Sequence, residues 1–321
     1  GALDPVAGAE ALDDAALRGM LREIVSAEQW ESFERDGDVD FGYSLPEVGR
    51  FRANYFVQDR GAAAVFRRIP EKILPLDALG LPQAVGLLAD LERGLVLVTG
   101  PTGSGKSTTL ASLVDRINRS YARHVVTIED PIEFVHHDRR CVFSQREVGT
   151  DTDSFAEALR AAMRQDADVI LVGELRDLET ISLALAAAEM GTLVLATLHT
   201  NSAAKTVDRI VDVFPAEEQS HIRVTLAESL AAVVSQILLP TADGKGRCAA
   251  TEILFGGRGV ANAIREQATP MLRNLIQAGS SVGMRSMDDS LVELCRAGTI
   301  SYDEGYRKAM EKERFERLAG G

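Results

Sequence analysis

The run Gly100-Pro101-Thr102-Gly103-Ser104-Gly105-Lys106-Ser107 has the spacing Gly-x-x-x-x-Gly-Lys-Ser/Thr. Glycines let a backbone curl until successive N–H groups point inward at phosphate oxygens, and a helix starting at the lysine adds its positive end. Lys106 then reaches the β- and γ-phosphates of a nucleotide, while the Ser107 hydroxyl is a ligand for Mg²⁺. With the next hydroxyl included, the residues expected to hold ATP are Gly100, Pro101, Thr102, Gly103, Ser104, Gly105, Lys106, Ser107 and Thr108.

Three other apolar runs end in groups suited to proton or metal chemistry. Val125 to Ile128 leads into Glu129-Asp130-Pro131-Ile132-Glu133, Val169 to Val172 into Gly173-Glu174, and Leu193 to Leu198 into His199-Thr200-Asn201. A carboxylate so placed holds Mg²⁺ or polarises an attacking water, and Glu174 joins Ser107 as an expected metal ligand. Glu129 and Glu133 are candidates for the remaining role. Spacing leaves open which acid is the base, and either acid has Arg139, Arg140 or Arg146 as an alternative partner. His199 is placed to hydrogen-bond a γ-phosphate and register its loss. Phosphoryl transfer also gains from cations over the γ-phosphate, and Arg50, Arg52, Arg60, Arg67 and Arg68 cluster early in the chain. His136 and His137 near Cys141 lack a second ligand pair and do not complete a four-ligand zinc pattern.

These groups need elements to carry them. Continuous apolar runs alternating with helical patterns indicate strands buried on both faces, hence an α/β fold with a parallel sheet flanked by helices. Ligands in such sheets sit beyond the carboxyl ends of the strands, where all four motifs fall. Leu95 to Thr99 is the strand before the glycine loop, and a helix follows to about Arg119. Ser154, Asp177 and Ser202 are helix N-caps, and Gly191 ends the second of those helices. The last hundred residues read as mostly helical, one helix starting at Pro215 and another capped by Ser301. Residues 1–74 form a smaller α+β unit, with a helix over Asp13 to Ile24 and strands at Phe51 to Phe56 and Ala64 to Ile69. Residues 75–82, with two prolines and Gly80, read as a linker, and 83–321 as the larger domain.

Composition narrows the class. With 321 residues, 45% apolar and 26% charged, the chain is globular. Its net charge of −13 and 5% aromatic content disfavour a nucleic-acid groove, which needs cations and stacking platforms. The longest apolar stretch, Leu183 to Leu198, is broken by Glu189, Gly191 and Thr192, so no membrane span is expected. Three cysteines without metal or disulfide spacing, and no signal region, suit a reducing cytoplasm. The chain opens on Gly1 rather than Met and reads as part of a longer protein.

Together the motifs carry a family resemblance. Thr127-Ile128-Glu129-Asp130-Pro131-Ile132-Glu133 resembles an Asp box. Ala167-Asp168-Val169-Ile170-Leu171-Val172-Gly173-Glu174-Leu175-Arg176-Asp177 resembles an atypical Walker B segment, and Thr197-Leu198-His199-Thr200-Asn201 resembles a His box. With the phosphate loop they are similar to the type II/type IV secretion ATPase superfamily, most of all its type IV pilus retraction (PilT-like) motors. The likeness extends to Arg50-Phe51-Arg52, Val65-Phe66-Arg67-Arg68-Ile69-Pro70 and Phe214-Pro215-Ala216-Glu217-Glu218. It implies a PAS-like first domain, here shortened, a RecA-like motor domain and a helical C-terminal region (about 259–321). It also implies a homohexameric ring, domain rotation driven by ATP hydrolysis, and a pilus platform protein of the inner membrane as partner. By position, Arg52 and Arg67 resemble the first-domain arginines that engage phosphate, and Glu129, Glu133, Glu174 and His199 the active-site residues.

Two features modify the match. Ala261 stands where retraction motors carry the Arg of an Ala-Ile-Arg-Asn-Leu-Ile motif, and the paired Cys-x-x-Cys module of many assembly motors is absent. The expected function is therefore ATP-driven pilus retraction in the cytoplasm at the inner membrane face. An assembly or secretion ATPase of the same superfamily and a RecA-like nucleic-acid translocase are the alternatives. A nucleotide-binding regulator without turnover fits less well, because a pure binder has no use for water-activating acids at Glu129, Glu133 and Glu174.

Overall fold

The computed structural model describes residues 4, 6, 8, 10–69 and 72–319. Pro70, part of one family-like segment, lies outside them. The chain divides between Lys72 and Ile73 into two compact units.

In the first unit, helices α1 (Asp14–Arg22) and α2 (Ala27–Asp36) precede strands β1 (Asp38–Leu45), β2 (Gly49–Gln58) and β3 (Gly61–Ile69). The strands form an antiparallel sheet in the order β1-β2-β3. Ser26 and Gln29 make a reciprocal capping box that starts α2. Leu21, Trp30 and Phe33 from the helices pack on Phe41, Ala53, Tyr55 and Ala62 of the sheet. On the opposite face, Arg52 lies directly across from Arg67.

The second unit opens with a 3₁₀ turn, Leu76–Leu79, and the single-turn helix α3 (Gln83–Gly86). Leu76 is buried with Val85, Leu88 and Val96, so the expected linker 75–82 is instead part of this unit's core. Its prolines and Gly80 turn the chain, but its leucines pack. A seven-stranded sheet follows in the order β10-β9-β4-β8-β7-β5-β6. In chain order come β4 (Gly94–Thr99), α4 (Lys106–Ser120), β5 (His124–Glu129), β6 (Val142–Glu147), α5 (Phe155–Ala162), β7 (Val169–Val172), α6 (Leu178–Glu189) and β8 (Leu193–Leu198). Helices α7 (Ala203–Asp212) and α8 (Ala216–Ser229) lead to β9 (Leu230–Pro240) and β10 (Arg247–Phe255). Only the edge strand β10 is antiparallel to its neighbour.

Every residue of β4, β7 and β8 is buried, as two covered faces require. Alternate residues of β4 face opposite ways. Leu95 and Leu97 join α5, α6 and α7 on one side, while Val96 and Val98 join Leu110, Leu113 and Ile117 of α4 on the other. The last hundred residues are less helical than expected, because β9 and β10 form a long hairpin within them. Helices α9 (Arg258–Arg265), α10 (Leu272–Ala278), α11 (Met287–Arg296), α12 (Tyr302–Lys308) and α13 (Lys312–Ala319) complete the unit. Leu239 and Ala250 of the hairpin pack on Leu291, Val292 and Phe315 of this helical layer. Among the described residues, no helix is long and apolar enough to cross a membrane.

Candidate functional site

Strands β4, β8, β7 and β5 are consecutive parallel neighbours, so their carboxyl ends share one edge of the sheet. At about 4.8 Å between strands, that edge runs roughly 14 Å from the phosphate loop to Glu129.

The loop joins β4 to α4. Its turn is held by Gly100, Gly103 and Gly105, all at positive φ. The first intrahelical bond of α4 runs from Thr109 N–H to Gly105 O, leaving the N–H groups of Lys106, Ser107 and Thr108 ahead of it. Lys106 is buried, and its ammonium donates to Gly100 O (2.9 Å) and Pro101 O (3.3 Å). Burial pulls its pKa down, while the carboxylates of Glu174 and Glu133 act in the opposite direction. Pro101, Thr102 and Gly103 are exposed at the loop tip, and the buried Ser104 hydroxyl has no hydrogen-bond partner among the described residues.

Glu174, just past β7, is held at both oxygens. Arg176 Nε lies 2.9 Å from Oε2, and His199 Nε2 lies 3.2 Å from Oε1. The Thr197 hydroxyl donates to Gly173 O (2.5 Å), tying the end of β8 to the turn that presents Glu174. Glu129 ends β5 and is half-buried. Its carboxylate accepts from the Thr127 hydroxyl (2.8 Å) and the Glu133 N–H (3.3 Å). Burial outweighs these bonds and pushes its pKa up to about 7. Glu133 is exposed at the same edge. Arg146 donates to Asp151 O (2.8 Å) rather than to either glutamate.

The structure thus gathers Lys106, Glu133, Glu174 and His199 at one end of the sheet, with Glu129 bonded to the Glu133 backbone. Arg52 and Arg67 belong to the first unit, paired across β2 and β3. Like charges directly opposite repel, so neither arginine stabilises the other. Arg52 also meets Asp40 (3.5 Å).

Several supporting residues escaped the sequence reading. Strand β6 braces the loop after β5: Gln145 donates to Phe134 O (2.9 Å) and accepts from His136 N–H (2.7 Å), while Glu147 accepts from Ile132 N–H (3.0 Å). Gln236 of β9 reaches into the phosphate loop. Glu252 of β10 is buried and accepts from Ala203 N–H (2.8 Å) and the Met287 N–H, the first residues of α7 and α11; burial raises its pKa. The signal for Gln236 was visible in principle: Ser235 and Gln236 are two polar residues inside the apolar run Ala231 to Leu239.

The fold and loop define a P-loop protein of the parallel α/β class. Residues 44–310 match the family described as Type II/IV secretion system protein, and the chain belongs to that family. It is 50% identical over 304 residues to the type IV pilus retraction ATPase PilT of Pseudomonas aeruginosa, covering 95% of this chain and 88% of that one. It is 51% identical to a twitching motility protein of Neisseria gonorrhoeae, covering 92% and 79%. The crystal structure of the pilus retraction motor PilT with bound ADP superposes with a TM-score of 0.87 at 44% identity, covering 94% of this chain and 86% of that one.

Proposed function

We propose that this chain is an ATP-hydrolysing motor that powers type IV pilus retraction. The observation carrying the reading is the shared edge on which the phosphate loop, Glu133, Glu174 and His199 meet, in a chain so similar to retraction ATPases. In this reading Gly100 to Thr108 bind the triphosphate of ATP, and Lys106 gives up its loop carbonyls to neutralise the transferring phosphoryl group. Glu129, with a carboxyl pKa of about 7, is suited to take a proton from the attacking water near neutral pH. Glu133 is the acid beside it, and His199 orients Glu174 through their mutual contact.

Ser107 and Glu174 are the residues that would hold Mg²⁺. The donor set fits, since both offer hard oxygens and Mg²⁺ needs only one or two protein oxygens beside phosphate and water. Bound there, Mg²⁺ supplies charge neutralisation at the phosphates.

Arg52 and Arg67 are the first unit's candidates for engaging nucleotide phosphate; we read that unit as PAS-like and the second as RecA-like. A contact made by two mobile parts to one γ-phosphate favours a single closed arrangement, and hydrolysis removes that bias. The assembly is a homohexamer in the cytoplasm, working on a pilus platform protein at the inner membrane face. The Arg-Asn-Leu-Ile run expected around Ala261 lies instead at Arg273-Asn274-Leu275-Ile276 on α10, so no missing arginine favours an assembly or secretion ATPase.

The test is Lys106→Ala, which abolishes ATP turnover; near-normal turnover refutes the phosphate-loop assignment. In cells, the same substitution leaves an excess of surface pili if the motor retracts, and bare cells if it assembles.

A further inference from the structure

Gln236 lies at the middle of β9, 1% exposed, and its side chain bridges the loop–helix junction. Its amide nitrogen donates to Ser104 O (2.6 Å), and its amide oxygen accepts from the Thr109 hydroxyl (3.0 Å). This orientation is the one chemistry permits, because a backbone carbonyl only accepts. The loop's outer glycines fit around the same residue. A Cβ on Gly100 would stand 2.2 Å from Gln236 O, and one on Gly105 would stand 3.2 Å from its amide nitrogen. The glutamine side chain therefore braces the exit of the curl, while the backbone carbonyl of the same residue bounds its entry.

We infer that Gln236 is the positioning residue that pre-shapes the phosphate loop for a nucleotide diphosphate or triphosphate. The inference rests on reading Gly100 to Ser107 as the phosphate-holding loop. A loop with freedom to collapse must be ordered when phosphate binds, at a cost in affinity; a loop already clasped to β9 is not so taxed. Gln236 touches neither the general-base candidates nor Glu174 through any described hydrogen bond, so its loss weakens ground state and transition state alike.

The test uses the full chain with Mg²⁺, comparing wild type with Gln236→Met, Thr109→Val and Lys106→Ala. Calorimetry with ADP gives affinity, steady-state ATP hydrolysis gives KM and kcat, and hydrogen exchange reports the loop amides. Gln236→Met removes both bonds at nearly constant volume. It weakens ADP binding and raises KM by about 10- to 100-fold while kcat stays within about threefold. Exchange quickens at 102–107 and not along β4 and β8. Thr109→Val, which removes one bond, weakens ADP by about three- to tenfold, and the double variant is no worse than Gln236→Met alone.

An unchanged ADP affinity in Gln236→Met, with Lys106→Ala losing it, overturns the positioning role. So does a loss of kcat at constant KM, or faster exchange spread over the whole sheet, which marks a merely structural residue. Where Gln236→Met fails to fold, Thr109→Val decides alone, and an unaltered KM refutes the inference. An unaltered ADP affinity in Lys106→Ala sinks the phosphate-loop reading itself, a different failure.

Discussion

Replacing Glu129 with Gln makes the motor unit more stable and less active, and the stabilisation depends on pH. In the unfolded chain the carboxyl ionises at its ordinary 4.5, and in the folded chain burial moves this to about 7. Between those values the folded chain holds a proton that the unfolded chain has released. Stability therefore falls as pH rises through this window and is lowest above it. The interval corresponds to roughly 3 kcal/mol at about 1.4 kcal/mol per pH unit. Solvent at a half-buried carboxylate and loss of the bond from Glu133 N–H reduce the gain from Glu129→Gln to about 1–2 kcal/mol at pH 8. That raises the melting temperature of a unit this size by about 2–8 °C. At pH 4 both side chains are neutral and the two proteins melt together. Calorimetry at the two pH values checks this, alongside ATP turnover, which falls by about 100-fold or more if Glu129 is the base. A melting difference equal at both pH values refutes the burial argument; unchanged turnover passes the base role to Glu133 or Glu174.

Wild-type turnover itself declines about tenfold per pH unit below 7, as the Glu129 base becomes protonated, and a flat profile from pH 5.5 to 8 contradicts this. Glu174→Gln binds ATP with near-normal affinity yet hydrolyses it at least about 100-fold more slowly, read by equilibrium binding beside single turnover. Gly100→Ala drives a methyl into Gln236 O and Ser104 Oγ, so ADP binding by calorimetry drops beyond detection while circular dichroism stays native. Arg67→Ala removes one of two facing cations: ATP turnover falls by about tenfold or more, and the melting temperature does not decrease because the repulsion with Arg52 is relieved.

The motifs at the sheet edge were legible because each follows a short, unbroken apolar run, and only a strand buried on both faces tolerates such a run. The runs ending at Thr99, Ile128, Val172 and Leu198 are β4, β5, β7 and β8 to within a residue. What local patterns hid was long-range. The bond from Gln236 to Ser104 O joins residues 132 apart, and no spacing rule relates them. Strand β9 was missed because it follows α8 without a break and carries Ser235 and Gln236 in its centre. Strand β6 was missed because its polar residues, Gln145 and Glu147, serve the neighbouring loop instead of facing solvent. The segment 75–82 misled for the opposite reason: proline and glycine punctuation is visible locally, whereas the burial of Leu76 depends on Val85 and Leu88 folding beneath it.

The carboxylate of Glu252 has a mechanical consequence. Because α7 and α11 both begin on it, it works as a pivot pin shared by two levers. One lever starts four residues after His199, and the other belongs to the C-terminal helical layer. A tilt of α11 that left α7 behind would strip a buried acid of one hydrogen bond, at a cost of about 1–3 kcal/mol. The starts of α7 and α11 therefore share one acceptor, and neither leaves it without that cost.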